Sequence, residues 1–160
     1  MNVYVGKIVN THGIKGELRI LSNIEKKEQV FRENTFIYIG KNKEKHQIRT
    51  YRKHKNFDMI TIDQFCNIND VLKFKGEKVY VDRDVLNLKK DEYILDDLLY
   101  LEVVCNHKSY GTISNIYDNN GNTLLEVNKK YYIPYHGDYI KHVDLDKKQI
   151  EVVNIEDLII

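Results

Sequence analysis

The chain lacks several common residue types. Among its 160 residues there is no alanine and no tryptophan, and Pro134 is the single proline. Isoleucine, valine and the 12 tyrosines are frequent instead. Branched and aromatic side chains of this kind favour extended strands over helices. The composition therefore predicts a mainly β protein.

Cysteines and long apolar runs are also scarce. The two cysteines, Cys66 and Cys105, lie far apart and belong to no paired motif, as is typical of free thiols in a reducing cytosol. No apolar run is long enough to span a bilayer, and the first residues lack the pattern of a signal peptide. We therefore expect a cytoplasmic protein with no membrane partner.

Charged residues are plentiful but unevenly distributed. Residues 1–90 contain 19 Lys+Arg and 11 Asp+Glu, a net charge of +8. Residues 91–160 contain 6 and 13, a net charge of −7. A basic half joined to an acidic half predicts two domains, the first attracting nucleic acid and the second a basic protein. A solvated surface that polarised without function is the alternative interpretation.

The first strand–loop–strand is the most informative stretch of the chain. Apolar and polar or small residues alternate at 3–9 and again at 17–21, which predicts two strands around the polar loop Asn10–Gly16. Gly13 and Gly16 allow this loop to turn sharply. Its rim carries hydrogen-bond donors suited to phosphate groups, namely Thr11, His12, Lys15 and Arg19.

A second basic run follows at residues 47–55, which we predict to be a strand with outward cations around Tyr51. Such a strand can follow a nucleic-acid backbone and stack a base. An edge strand that is charged to prevent aggregation fits the same pattern equally well. The candidate RNA contacts are Lys7, Thr11, His12, Lys15, Arg19, Arg49, Arg52 and Lys53.

The order of predicted elements divides the chain in two. About six strands fit before residue 82, which is enough for a small barrel, and Ser22 with Glu25 has the spacing of a capping box for a short helix to about Arg32. The charge balance changes sign near residues 86–92. We therefore predict a domain at 1–85, a linker at 86–92 and a second β domain at 93–160, with a hairpin turn at 118–122 and Pro134 at an edge or bulge.

Two parts of the sequence resemble one protein family. Residues 6–17, GKIVNTHGIKGE, resemble the opening of the RimM family of bacterial ribosome maturation factors. Residues 92–98, 110–113, 133–135 and 143–146 are similar to the PRC-barrel domain with which these proteins end. Where the family usually carries Tyr-Tyr-Trp before the barrel, this chain has Tyr93-Ile94-Leu95, so only Tyr93 matches that motif.

The resemblance implies an all-β fold of two small barrels, a translation-factor-type barrel followed by a PRC barrel. It implies an assembly factor rather than an enzyme, without cofactor or small-molecule substrate. Such a protein would bind the immature 30S subunit and ribosomal protein S-nineteen, and would assist maturation of the 16S rRNA head domain. On the acidic half, the candidate contacts for the ribosomal protein are Tyr93, Asp97, Tyr135 and Tyr139.

Other chemistries have weaker support in the sequence. His136, Asp138 and His142 lie close together, but no cysteine or third histidine has matching spacing, so we predict no metal site. No serine or cysteine lies in a nucleophile motif, so we predict no catalytic residues. A nuclease that uses His12 with Glu17 as acid and base is the main alternative, and a PRC-type protein-interaction module is the third.

Overall fold

The computed structural model describes residues 1–119 and 121–159, so Ile160 and Asn120, in the turn predicted at 118–122, lie outside the described residues. The chain divides into two compact units, Met1–Glu92 and Tyr93–Ile160. Strands contain 48% of the residues and helices 12%, and the prediction of a mainly β fold is confirmed. Across the described residues, no helix has both the length and the apolar character needed to cross a membrane.

Six antiparallel strands form the first unit and close into a barrel in the order β1-β2-β5-β4-β3-β6. They are β1 (Asn2–His12), β2 (Glu17–Leu21), β3 (Phe36–Ile39), β4 (Glu44–His54), β5 (Phe57–Ile62) and β6 (Lys78–Asp82). Alternate residues point inward, as the period of two predicts, and the inward side chains are almost wholly buried aliphatic groups. The barrel interior is therefore a packed core.

The helices of the first unit are single turns. They are α1 (Lys27–Val30), α2 (Ile68–Val71) and two 3₁₀ helices at Leu72–Phe74 and Arg83–Leu86. The predicted helix from Ser22 to Arg32 is wrong, because α1 has only four residues and no side-chain cap. Ser22 is buried, and its hydroxyl donates to the carbonyl oxygen of Val5. The Ser22 oxygen also accepts a hydrogen bond from the backbone N–H of Ile24 at 3.3 Å, so this side chain fixes the turn after β2 rather than the start of α1.

Part of the segment predicted as a linker is held by the first unit. Leu86 is fully buried, and the Glu92 carboxylate lies 2.6 Å from the Lys26 ammonium group. The same carboxylate accepts a hydrogen bond from the backbone N–H of Lys89. The chain is thus anchored at both ends of residues 86–92, and the function of this segment as a linker stays a prediction.

The second unit is a six-stranded sheet in the order β10-β9-β8-β7-β12-β11. The strands are β7 (Glu102–Cys105), β8 (Lys108–Asn119), β9 (Asn122–Val127), β10 (Tyr131–Pro134), β11 (Ile140–Asp144) and β12 (Gln149–Val152), with a 3₁₀ helix at Leu95–Leu98. β12 and β7 pair in parallel, whereas the other neighbours are antiparallel. Pro134 ends the edge strand β10, where a missing N–H interrupts no inner ladder.

The loop between β1 and β2 is supported from one side. Gly13 and Gly16 both have positive φ, +69° and +86°. A Cβ at Gly16 would lie 3.2 Å from the backbone nitrogen of Asn67 and the carbonyl oxygen of Phe65, whereas a Cβ at Gly13 would meet nothing within 4 Å. The loop therefore rests on the backbone of residues 65–67 at Gly16 and is open at Gly13.

We expect Gly16→Ala to destabilise the first unit more than Gly13→Ala. Both substitutions add the cost of positive φ, roughly 1 kcal/mol, and only Gly16→Ala adds a backbone clash, for a total of about 3 kcal/mol. The measurement is urea unfolding of the full chain, followed by NMR signals of the barrel. Equal losses in the two variants would contradict the support that residues 65–67 give to the loop.

Candidate nucleic-acid interface

The β1–β2 and β4–β5 hairpins of the N-terminal barrel contact each other through their outward side chains. β2 pairs with β5, so the two hairpins are neighbours in the barrel sheet. The rings of His12 and His54 are 5.6 Å apart between centroids. We call this surface the hairpin end, and it comprises His12, Lys15, Glu17, Arg19, Arg52, His54 and Lys55. With five cationic or imidazole groups besides the Arg52–Glu17 pair, it is a surface suited to phosphate.

Arg19 is held in place by two aromatic rings. Its Nη2 lies 2.9 Å from Nδ1 of His12, and its guanidinium carbon is 5.0 Å from the centroid of Phe57. Because a guanidinium group only donates, Nδ1 of His12 accepts, and a neutral His12 ring carries its proton on Nε2. Nε of Arg19 is buried without a hydrogen-bond partner among the described residues. The charge of Arg19 is thus not neutralised by an acid at this site.

Arg52, by contrast, is already paired. Its Nε and Nη2 donate to the two carboxylate oxygens of Glu17 at 2.8 and 2.7 Å. This bidentate pair lowers the pKa of Glu17. The pair joins β4 to β2, and it leaves Lys15, an exposed residue, as the most accessible cation of the loop.

Two further candidate cations stabilise the barrel. Arg49 donates to the backbone oxygens of Asp63 and Phe65, both at 2.9 Å. This contact fixes the segment on which the β1–β2 loop rests, since the N–H of Ile68 donates to the oxygen of Ile14 at 2.9 Å. Lys53 lies 3.7 Å from the carboxylate of Asp58. We infer that Arg49 positions the loop rather than contacting a ligand.

The remaining candidates on β1 lie apart from these cations. Thr11 is half-buried opposite Leu18, one residue before His12. Lys7 is exposed near the middle of β1, directly opposite Lys78 of β6. The structure therefore brings His12, Lys15, Arg19 and Arg52 together at the hairpin end and places Lys7, Thr11, Arg49 and Lys53 elsewhere.

The candidate contacts of the second unit surround one tyrosine pair. The hydroxyl oxygens of Tyr93 and Tyr135 are 2.5 Å apart. Asp97 accepts a hydrogen bond from the backbone N–H of Ile94 at 3.0 Å, which caps the 3₁₀ helix at Leu95–Leu98. Tyr139 is half-buried and packs against the core of this unit. Each ring thus contributes to folding and exposes only part of its surface.

Several groups were not among the candidate contacts predicted from the sequence. His54, within the basic run at 47–55, belongs to the hairpin end, and Phe57 pairs with it across the β4–β5 turn. In the second unit, Tyr117, Leu124 and Tyr132 form an exposed patch on the outer face of β8, β9 and β10. The sequence showed that these strands alternate between two faces, but it did not show which face points outward.

Potential metal ligands do not assemble in the part of the chain that the structure describes. Within residues 1–119 and 121–159, no group of three or more His, Cys, Asp or Glu side chains is placed to hold an ion. Nδ1 of His136 and the carboxylate of Asp138 lie 3.3 Å apart on an exposed loop. This pair satisfies itself without a third ligand.

The pKa of His54 is lowered from its ordinary value of 6.5. Partial burial is the largest cause, and the positive charges of Arg52 and Lys55 add to it. We expect its NMR titration midpoint in the full chain to lie below that of a solvated histidine. Arg52→Gln should raise the midpoint, because it removes a cation and leaves Glu17 unpaired nearby. Lys147→Gln, in the other unit, is the control and should leave it unchanged. A midpoint that does not respond to Arg52→Gln would contradict this electrostatic description.

Both units match models of one family. The RimM N-terminal domain matches residues 3–86, and the RimM PRC barrel domain matches residues 95–158. The ribosome maturation factor RimM of Staphylococcus haemolyticus is 34% identical over 166 residues, covering 99% of this chain and 99% of its own. The factor of the same name from an Exiguobacterium species is 34% identical, covering 98% of this chain and 96% of its own. A crystal structure of a RimM protein from Pseudomonas aeruginosa aligns with a TM-score of 0.43 at 19% identity, covering 95% of this chain and 96% of the other.

Proposed function

Because this chain belongs to the RimM family, we propose that it is a ribosome maturation factor that acts by binding and not by catalysis. The observation that carries the proposal is the match to relatives of that name along 99% of both chains. In this proposal the chain binds the immature 30S subunit, contacts ribosomal protein S-nineteen and assists maturation of the 16S rRNA head domain. A cytoplasmic location follows from that role.

The charge of each unit supports a division of labour. Met1–Glu92 contains 19 Lys+Arg and 13 Asp+Glu, a net charge of +6. Tyr93–Ile160 contains 6 and 11, a net charge of −5. The first unit therefore attracts RNA phosphates and the second attracts a basic ribosomal protein.

At the hairpin end, the RNA contact is electrostatic. Lys15 is exposed and Arg19 has no acidic partner at the site, so both are available to phosphate oxygens. Contacts of this kind position a protein on RNA without reading its sequence. Specificity for the immature particle then requires a second partner, and the protein contact of the acidic unit supplies it.

We expect Lys15→Ala to weaken binding of the full chain to immature 30S particles. Loss of one phosphate contact should reduce the slope of log affinity against log salt by about 1. Lys147→Ala removes the same charge from the other unit and is the matched control. Affinity should be measured by sedimentation or fluorescence at several salt concentrations.

A flat salt response in the unmodified chain would contradict phosphate contact. The same mixtures test the nuclease alternative, for which the proximity of His12 and His54 is the relevant observation. Shortening of the RNA that disappears in His12→Ala would favour acid–base cleavage over simple binding.

For the protein contact, we expect Tyr93→Ala to weaken binding of the full chain to purified S-nineteen about tenfold, because an exposed ring edge next to acidic groups suits a cationic partner. Tyr93→Phe keeps the ring and removes only the hydrogen bond to Tyr135, so it should retain most of the affinity. Calorimetry or fluorescence anisotropy measures both.

Tyr132→Ala on the outer sheet face is the comparator, since Tyr132 is 47% exposed and lies outside the Tyr93–Tyr135 pair. If Tyr132→Ala weakens binding while Tyr93→Ala does not, the contact lies on the outer face of β8–β10. If neither variant has an effect, neither Tyr93 nor Tyr132 makes the contact.

A further inference from the structure

A row of aromatic side chains crosses the outside of the N-terminal barrel and shares no residue with the hairpin end. Tyr4 of β1 is directly opposite Tyr80 of β6, and Tyr80 is directly opposite Tyr38 of β3. Lys45 of β4 continues the row opposite Tyr38. The residues that flank these positions along each strand, such as Val79 and Val81, are buried in the core, so the row faces outward.

Two aromatic rings on this face are exposed, and two are half-buried. Tyr4 is 44% exposed, and Phe36, two residues before Tyr38 on β3, is 46% exposed, whereas Tyr38 and Tyr80 are half-buried. The rings of Tyr4 and Tyr80 meet edge to face with centroids 6.0 Å apart. We call Tyr4, Phe36, Tyr38 and Tyr80 the aromatic face. These four rings point away from the buried core, so packing of the core does not account for them.

Lysines border the aromatic face. The ammonium groups of Lys43, Lys45 and Lys78 lie 3.3, 4.3 and 5.9 Å from the ring centroids of Tyr80, Phe36 and Tyr4. Lys7 is directly opposite Lys78, and like charges in that position destabilise a sheet. Among the described residues none of these lysines forms an ion pair with a carboxylate. The cations are therefore available to an anionic partner.

A groove of about 700 Å³ adjoins two of the rings. Phe36 and Tyr38 form part of its wall, together with the side-chain amides of Gln29, Asn34 and Asn87. Amides both donate and accept hydrogen bonds, as the edges of nucleobases do. The groove is also lined by the acidic residues Glu33, Asp82 and Asp84. Because carboxylates repel phosphates, the backbone of a bound nucleic acid would follow the lysines, and its bases would face the groove.

We propose that the aromatic face binds unpaired RNA, with bases stacked on its rings and phosphates held by Lys7, Lys43, Lys45 and Lys78. Stacking on aromatic side chains combined with cations along the backbone is how single-stranded nucleic acids are bound without strong sequence preference. The inference rests on the proposed RNA partner of this protein and specifies which part of that RNA the barrel contacts.

The lysines that cover the rings do not prevent this binding. An exposed cation–π contact is weaker than the stacking of a base on the same ring. A base can therefore displace the ammonium group of Lys43 from Tyr80, and the flexible lysine side chain can then reach a phosphate. The lysine-rich border also makes a basic protein an unsuitable occupant of this face.

The test is fluorescence-anisotropy binding of the full chain to a labelled oligouridine of about 12 nucleotides, a probe without secondary structure. The double variant Tyr4→Ala/Tyr80→Ala should weaken binding tenfold or more. Tyr4→Phe/Tyr80→Phe keeps both rings and should bind like the unmodified chain. A duplex RNA of equal length should compete poorly, because its bases are already stacked.

Absence of saturable oligouridine binding would overturn the inference, as would equal binding of the duplex or an unchanged affinity in the folded Tyr→Ala double variant. Circular dichroism and the NMR signals of the N-terminal barrel establish that this variant is folded. If the oligouridine fails while immature 30S particles still bind, the aromatic face is wrong and the proposed function stands. If both fail, the proposed function itself is wrong.

Discussion

The first strand is the constraint on which the N-terminal unit depends. β1 pairs with β2 along one side and with β6 along the other, and so closes the barrel. Its last residue, His12, lies at the hairpin end, and Tyr4 near its start lies on the aromatic face. Irregularities in its pairing between Tyr4 and Gly6 and between Ile8 and Asn10 let one strand serve both neighbours. A shift of register in β1 would therefore disturb the core and both proposed RNA surfaces together.

A buried carboxylate explains why the basic run on β4 is not simply a row of free cations. Asp58 has no exposed surface, and it accepts from the ammonium group of Lys27 at 2.9 Å and from the hydroxyl of Tyr51 at 2.7 Å. Burial and this hydrogen bond raise the pKa of Tyr51 to about 12. A buried charge without partners is strongly destabilising. Lys27 compensates the charge of Asp58, and Lys53 does so at the longer distance of 3.7 Å. Lys27 and Lys53 thus stabilise the fold by compensating the charge of Asp58.

These two features separate what the sequence could predict from what it could not. The strands follow from alternation that is local in the chain, so β1, β2 and the β4–β5 hairpin were predictable to within a few residues. The pairing of Arg52 with Glu17 joins residues 35 positions apart and depends on which strands become neighbours. The Tyr4–Tyr80–Tyr38 row depends in the same way on the pairing of β1, β6 and β3, because no two of these tyrosines are close in sequence. Local patterns thus predicted the fold, while the composition of each surface required the topology.

A protein that assists assembly must release its product, and the two proposed RNA surfaces, which differ in chemistry, would provide a physical route to that end. Phosphate contacts at the hairpin end are available on folded and unfolded RNA alike, whereas stacking on the aromatic face requires bases that have not yet paired. Weak contacts joined in one molecule add to a strong overall affinity only while both can form. When the RNA folds, its bases pair and the stacking contribution is lost, and the remaining phosphate contacts are too weak to retain the protein. The difference in affinity between the immature and the finished particle, which such a factor needs, then arises from RNA folding itself.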